Sequence, residues 1–130
     1  MIEEDYVSFE IAKLLKEKGF DEGCRSHYGT SGSLSYEKYE VEASGCEMHD
    51  AILAPTLQMT MKWLRESHNI FIAINIVTHV TVTMEQKYYF FKLYIDRRPY
   101  NVPLNDSVKL YSSYEEACEA AIKYCLENLI

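Results

Sequence analysis

Ile70-Phe71-Ile72-Ala73-Ile74-Asn75-Ile76-Val77-Thr78-His79-Val80-Thr81-Val82-Thr83 runs through Met84-Glu85-Gln86-Lys87 into Tyr88-Tyr89-Phe90-Phe91-Lys92-Leu93-Tyr94-Ile95. Side chains of a strand alternate between its two faces. In the first run the even positions Ile70, Ile72, Ile74, Ile76, Val80 and Val82 are apolar; in the second, the odd positions Tyr89, Phe91, Leu93 and Ile95 are. The pattern predicts an antiparallel hairpin of strands 70–83 and 88–95 with Met84–Lys87 as its loop. Val82 then opposes Tyr89, Val80 opposes Phe91, Thr78 opposes Leu93 and Ile76 opposes Ile95, so that both core faces coincide. A slip by one residue would turn one apolar set outward.

The other face pairs Thr83 with Tyr88, Thr81 with Phe90, His79 with Lys92 and Val77 with Tyr94 in that register. It carries an aromatic set, Tyr88, Phe90 and Tyr94. An apolar patch of this size is rarely left bare on a monomer. Tyr88, Phe90 and Tyr94 are therefore the candidate interaction face, to be covered by a helix, a second copy or a protein partner.

Three helices complete the plan, over 8–18, 55–68 and 113–129. Ser8 is placed to cap the first, whose stripe is Ile11, Ala12, Leu14 and Leu15; Gly19 suits the left-handed residue after it, with Phe20 folding back. Pro55 suits the first turn of the second, which carries Leu57, Met61 and Leu64 on one stripe and Trp63 off it, and which should stop near Asn69. His68 there meets the negative end of the helix dipole. Ser113-Tyr114-Glu115-Glu116 fits a capping box, and Ala117, Cys118, Ala121, Ile122, Cys125 and Leu126 form the buried side of the third helix.

Residues 21–50 lack sustained periodicity. Only Leu34–Val41 alternates enough for a short strand, and Val108–Tyr111 is a candidate for another beyond the loop 96–107. A structureless stretch as long as 21–50 either carries function or hides an element.

At 130 residues, with 48% hydrophobic and 25% charged residues, the chain has the composition of one folded domain with an adequate core. The sum is an α+β protein: one antiparallel sheet built on a central hairpin, flanked by the helices as an α/β/α sandwich, in a single domain over 1–130. A formal net charge of −7 opposes nucleic acid and anionic lipid as partners. The acidic start Met1-Ile2-Glu3-Glu4-Asp5 has no signal-peptide pattern and no apolar run spans a bilayer, so the expectation is a cytoplasmic protein with no membrane contact. Its four cysteines are then expected as reduced thiols.

Cys24-Arg25-Ser26-His27 and Cys46-Glu47-Met48-His49 are two Cys-x-x-His pairs. Cys24, His27, Cys46 and His49 together offer the donors of a tetrahedral zinc ion, although the spacing is not that of a standard finger. Cys118 and Cys125 share a helix face about 10 Å apart, beyond disulfide reach, and read as buried small hydrophobes. Tyr88, Phe90 and Tyr94, with Lys92, Arg97 and Arg98 nearby, are the residue types of a single-strand stacking platform, but the acidic balance withholds the electrostatic attraction such platforms use. His49-Asp50 and the serines of Thr30-Ser31-Gly32-Ser33 supply hydrolytic atoms with no motif to join them. No phosphate loop, dinucleotide fingerprint or paired-carboxylate signature is present. The residues point away from an enzyme and name no catalytic group and no cofactor.

Val7-Ser8-Phe9-Glu10-Ile11-Ala12-Lys13-Leu14-Leu15, Ala54-Pro55-Thr56-Leu57-Gln58-Met59, Lys62-Trp63-Leu64-Arg65-Glu66 and Tyr114-Glu115-Glu116-Ala117-Cys118-Glu119-Ala120-Ala121-Ile122 resemble a family of small uncharacterised proteins of Bacteroides-type bacteria and their prophages. The order of helix, hairpin and alanine-rich helix over 54–130 is similar in plan to the phage α-β-α sandwich domain. The resemblance implies a fold and a phage or mobile-element setting, and no activity. Sequence alone thus favours a non-enzymatic accessory protein that binds a protein partner or itself. The alternatives are a small zinc protein and a single-strand nucleic-acid binder.

Overall fold

The computed structural model describes residues 2–29, 32–41, 52–103 and 109–130, the side chains of 35–41 excepted. The chain order is α1 (Phe9–Glu17), β1 (Cys24–Tyr28), β2 (Leu34–Val41), β3 (Ile52–Leu53), α2 (Leu57–His68), β4 (Ile70–Val80), β5 (Glu85–Ile95), β6 (Arg98–Tyr100) and α3 (Tyr114–Asn128). The class is α+β. Two three-stranded antiparallel sheets form, ordered β2-β1-β3 and β4-β5-β6.

Each described helix begins on a hydroxyl cap. Ser8 Oγ accepts from Ile11 N at 3.3 Å, Thr56 Oγ1 from Met59 N at 3.1 Å and Ser113 Oγ from Glu116 N at 3.1 Å. Pro55 lies one residue before the Thr56 cap rather than in the first turn, because its carbonyl is taken by Val7 N at 3.0 Å. α1 ends as its sequence suggests: Gly19 has φ +89°, Phe20 N donates to Leu15 O at 2.9 Å, and the buried Phe20 ring meets Trp63 edge-on at 5.3 Å. The capping box at Ser113 forms only in part. Glu116 reaches past Ser113 to Ser112, accepting from its N at 3.2 Å and its hydroxyl at 2.7 Å.

α1 and α2 both pack on α3, and α2 and α3 lie on the sheet β4-β5-β6. Ala117 and Ala121 of α3 are fully buried, their small side chains letting the helix approach, and Leu15, Leu64, Leu93, Ile122 and Leu126 fill the space between. α1, packed on α3, also touches β3 of the other sheet. The expected sandwich, with helices on both faces of the hairpin sheet, does not form among the described residues. The apolar stripes of the three described helices find one another and one sheet face, and no described helix is left for the other face.

The hairpin forms with its faces as expected but in another register. Ile70 opposes Ile95, Ile72 opposes Leu93, Ile74 opposes Phe91 and Ile76 opposes Tyr89, six residues from the expected alignment. The loop is Thr81–Met84, not Met84–Lys87, and Val82 projects into solvent. A shift by an even number of residues keeps every side chain on its face, so hydrophobic alternation cannot distinguish these alignments. Local hydrogen bonding does: Thr81 N donates to Met84 O at 2.7 Å and Met84 N to Thr81 Oγ1 at 3.0 Å.

Leu34–Val41 is a strand as expected. β1 is the element concealed in 21–50, short and marked by no alternation of apolar residues. β6 follows β5 after only Asp96-Arg97, with φ +51° and +67°, a tight turn made without glycine. Of the candidate strand over 108–111, Tyr111 forms an isolated antiparallel bridge to Tyr89, and Val108 lies outside the described residues.

Candidate functional site

β5 is the central strand of its sheet, and its even positions Tyr88, Phe90, Lys92 and Tyr94 lie on the face opposite the buried Phe91 and Leu93, with Tyr88 at the end of the strand also lining a cleft between the start of α1 and α3. The register brings Val77 opposite Tyr88, Asn75 opposite Phe90, Ala73 opposite Lys92 and Phe71 opposite Tyr94; on the other side Pro99 opposes Tyr94. These pairs replace the expected ones with Thr83, Thr81, His79 and Val77. Tyr88, Phe90 and Tyr94 are half-buried by their strand neighbours, while Phe71 and Val77 are exposed. Lys92 Nζ stands 5.9 Å from the Phe90 ring centroid, so the cation lies along the aromatic surface. No helix among the described residues covers this face.

Beside it, where β6 stops after three residues, a cavity of about 690 Å³ opens between β5 and the chain after Tyr100, lined by Phe90, Tyr94, Pro99, Tyr100, Val102 and Pro103 among others. Its described lining is aromatic and aliphatic, with Lys92 the one charged group among the described residues. Such a surface can bind by burial of rings and by backbone contact. Among the described lining residues no nucleophile has a base beside it.

A second cleft of about 580 Å³ separates the start of α1 from α3. It is charged, but every group in it is engaged in holding the fold. Glu119 Oε1 accepts from Ser8 N at 3.1 Å, and Lys123 Nζ meets Glu10 at 3.0 Å. Burial is the largest cause that raises the Glu119 carboxyl above its ordinary range, with Asp5, Glu10 and Glu116 adding to it and the Ser8 amide opposing.

Of the Cys-x-x-His pairs, Cys24 and His27 lie on β1 and both are buried; Cys46 and His49 lie outside the described residues. Cys24 Sγ donates to Ser26 O at 3.4 Å. Among the described residues, buried His27 Nδ1 and Ser26 Oγ find no hydrogen-bond partner. Among the described residues no three His, Cys, Asp or Glu side chains come together as metal ligands. Cys118 and Cys125 are fully buried free thiols, as their helix face suggests. Burial pushes the first to about 11 and the second to about 12. With pKa values raised this far by burial, both stay thiols near neutrality. His68 packs edge-on against Trp63 at 4.7 Å between ring centroids. His49-Asp50 and Thr30-Ser31 lie outside the described residues. No helix of the described residues is long and apolar enough to cross a membrane.

No protein family, curated protein or solved structure matches the chain. Chemistry and geometry are therefore the grounds on which a role can be argued. The sequence located the aromatic set on β5 but missed two features next to it: the cavity after β6, which depends on a turn without glycine, and the bare edge of β4, which depends on strand order.

Proposed function

We propose that this is a non-enzymatic accessory protein of the reducing cytoplasm, working by protein–protein contact through the outer face of the sheet β4-β5-β6. The observation that carries this reading is the aromatic set Tyr88, Phe90 and Tyr94, flanked by exposed Phe71 and Val77, on a sheet face that no described helix covers. Aromatic residues supply much of the binding energy of protein interfaces at low conformational cost. The buried free thiols suit a reducing compartment, and the resemblance to small prophage proteins suits a phage or mobile-element origin. The net charge of −7 favours a protein partner over a nucleic acid for the same rings.

The test is paired affinity capture with wild-type protein and the double variant Phe90→Lys/Tyr94→Lys from the same cells. The wild type should retain a protein that the variant loses, with both melting at comparable temperature. Identical retained sets would overturn the reading.

A second reading, zinc bound by Cys24, His27, Cys46 and His49, draws support from the buried His27 Nδ1, which lacks the partner a buried ring nitrogen ordinarily has. Metal analysis of protein purified without chelator decides it. Less than stoichiometric zinc, together with a melting temperature unmoved by EDTA, ends it.

A further inference from the structure

Among the described residues the two sheets present four edges, and three are guarded. β3 is two residues long, β6 is three residues containing Arg98 and Pro99, and β2 carries Glu37, Lys38 and Glu40 in its sequence. Short length, charge and proline are the usual means by which a sheet edge is kept from pairing with another chain. β4 has none of them. Its outer edge is eleven residues, Ile70–Val80, without Pro, Asp, Glu, Lys or Arg, and its pairing with β5 runs without a bulge. No described strand pairs with that edge.

The two halves of β4 differ. Ile70 at the base is 2% exposed under the helices, whereas Ile76 and Val80, on the same face toward the tip, are 51% and 71% exposed. The tip half is apolar but reaches past the cover of α2 and α3.

We infer that two copies of this chain join antiparallel through the outer edges of β4, centred on Asn75, into one continuous six-stranded sheet. This rests on the reading of the protein as one that works by protein–protein contact. Centred on Asn75, Ile74 faces Ile76 of the second copy, Ile72 faces Thr78, and Ile70 faces Val80; on the outer face Ala73 meets Val77 and Phe71 meets His79. Every pair joins residues of the same face, so the core sides of the two sheets match. It is also the alignment in which all eleven residues overlap. The exposed Ile76 and Val80 of each copy then lie beside Ile74 and Ile70 of the other, where α2 and α3 already cover the sheet. A second copy is singled out because it alone brings its own roof to the place where the first lacks one.

The polar and charged terms agree. The symmetry axis passes beside Asn75, whose amide can both donate to and accept from its counterpart. No like charges meet along the seam. An edge of this length extends about 37 Å at ~3.4 Å per residue.

Sedimentation of the full chain from about 1 to about 100 μM measures the association. Wild type should approach twice the 15.2 kDa protomer mass and do so more readily at high salt, since each copy carries a charge of −7. Val80→Lys should sediment as the protomer with an unchanged helix and strand spectrum. Within one chain the new lysine faces Glu85, but across the seam it faces buried Ile70. Under mild oxidation Asn75→Cys should link to its counterpart, while His79→Cys and wild type should not, because only the central residue meets itself. A monomeric wild type throughout the range, or equal linking at 75 and 79, would overturn the dimer. Either result would leave the aromatic-face reading intact, since that reading is tested by Phe90 and Tyr94.

Discussion

Asn69 Nδ2 donates to Asp96 Oδ1 at 2.6 Å across the open end of the hairpin, and both residues are left-handed, at φ +54° and +51°. Asp96 N also donates to Asn69 O at 3.3 Å, just outside the Ile70–Ile95 pair. Asn69 is at once the C-cap of α2 and the clamp of β4 to β5. Asn and Asp adopt this backbone region more readily than other residues bearing a Cβ, which is why a helix can end and a strand begin within one residue here.

Replacing Asn69 by Ala removes the clamp and leaves a Cβ in a strained conformation. The expected cost is about 1–2 kcal/mol in urea unfolding, and Asn69→Gly should recover the backbone part of it. Equal losses for the two variants would show that the clamp, and not the left-handed cap, holds the junction.

Thr81 closes the opposite end, its hydroxyl accepting from Met84 N and donating to Met84 O at 3.1 Å. Thr81→Val should leave the base of the hairpin intact and speed amide exchange near Val80 and Glu85 only. Exchange accelerated equally at Ile72 and Leu93 would mean that the tip sets the register.

The two closures explain how far the hairpin was legible. Alternation at Ile70, Ile72, Ile74 and Ile76, and at Tyr89, Phe91, Leu93 and Ile95, fixed which side of each strand faces the core. Alignment along the strands turned on Thr81, whose local bonds to Met84 leave no mark on hydrophobic alternation, and on Asn69 and Asp96, whose pairing joins atoms far apart in sequence. Helices were legible almost to the residue because Ser8, Gly19, Ser113 and the apolar stripes act locally. Tyr88, Phe90 and Tyr94 were legible as a face, but their neighbours Asn75 and Phe71 followed from register. The bare edge of β4 could not be read at all, since an edge is defined by which strand is absent beside it.

Glu119 completes the cap of α1 from α3, accepting from Ser8 N as a capping-box glutamate would from within the helix. Glu119→Ala should cost about 1 kcal/mol. Its carboxyl is raised in the fold, so the neutral form is favoured there: the stabilisation is complete below the unfolded value of 4.5 and is lost as pH rises through the folded value. Glu119→Gln keeps an acceptor without the charge and should be at least as stable as wild type at pH 7, with the melting temperature falling less between pH 4 and 7. A steeper fall in the variant would contradict the assignment.

Cys118 and Cys125 are neutral and sealed in the core until strongly alkaline pH. Unfolding lets them ionise near their ordinary value of 9.0, so their contribution is fully present below that pH and is lost as pH climbs toward 11 and 12. Native protein at pH 8 should therefore leave both unmodified by a thiol reagent, and peptide mapping after denaturation should find them labelled. Cys125→Ala should cost about 1 kcal/mol for the lost sulfur contacts, whereas Cys125→Ser should cost more, because a hydroxyl at a fully buried position gives up hydration that a thiol hardly has. Should Cys125 label as fast as an exposed thiol in the native state, α3 would not be packed against the sheet as described, and the helices would no longer account for the exposed outer face of β5.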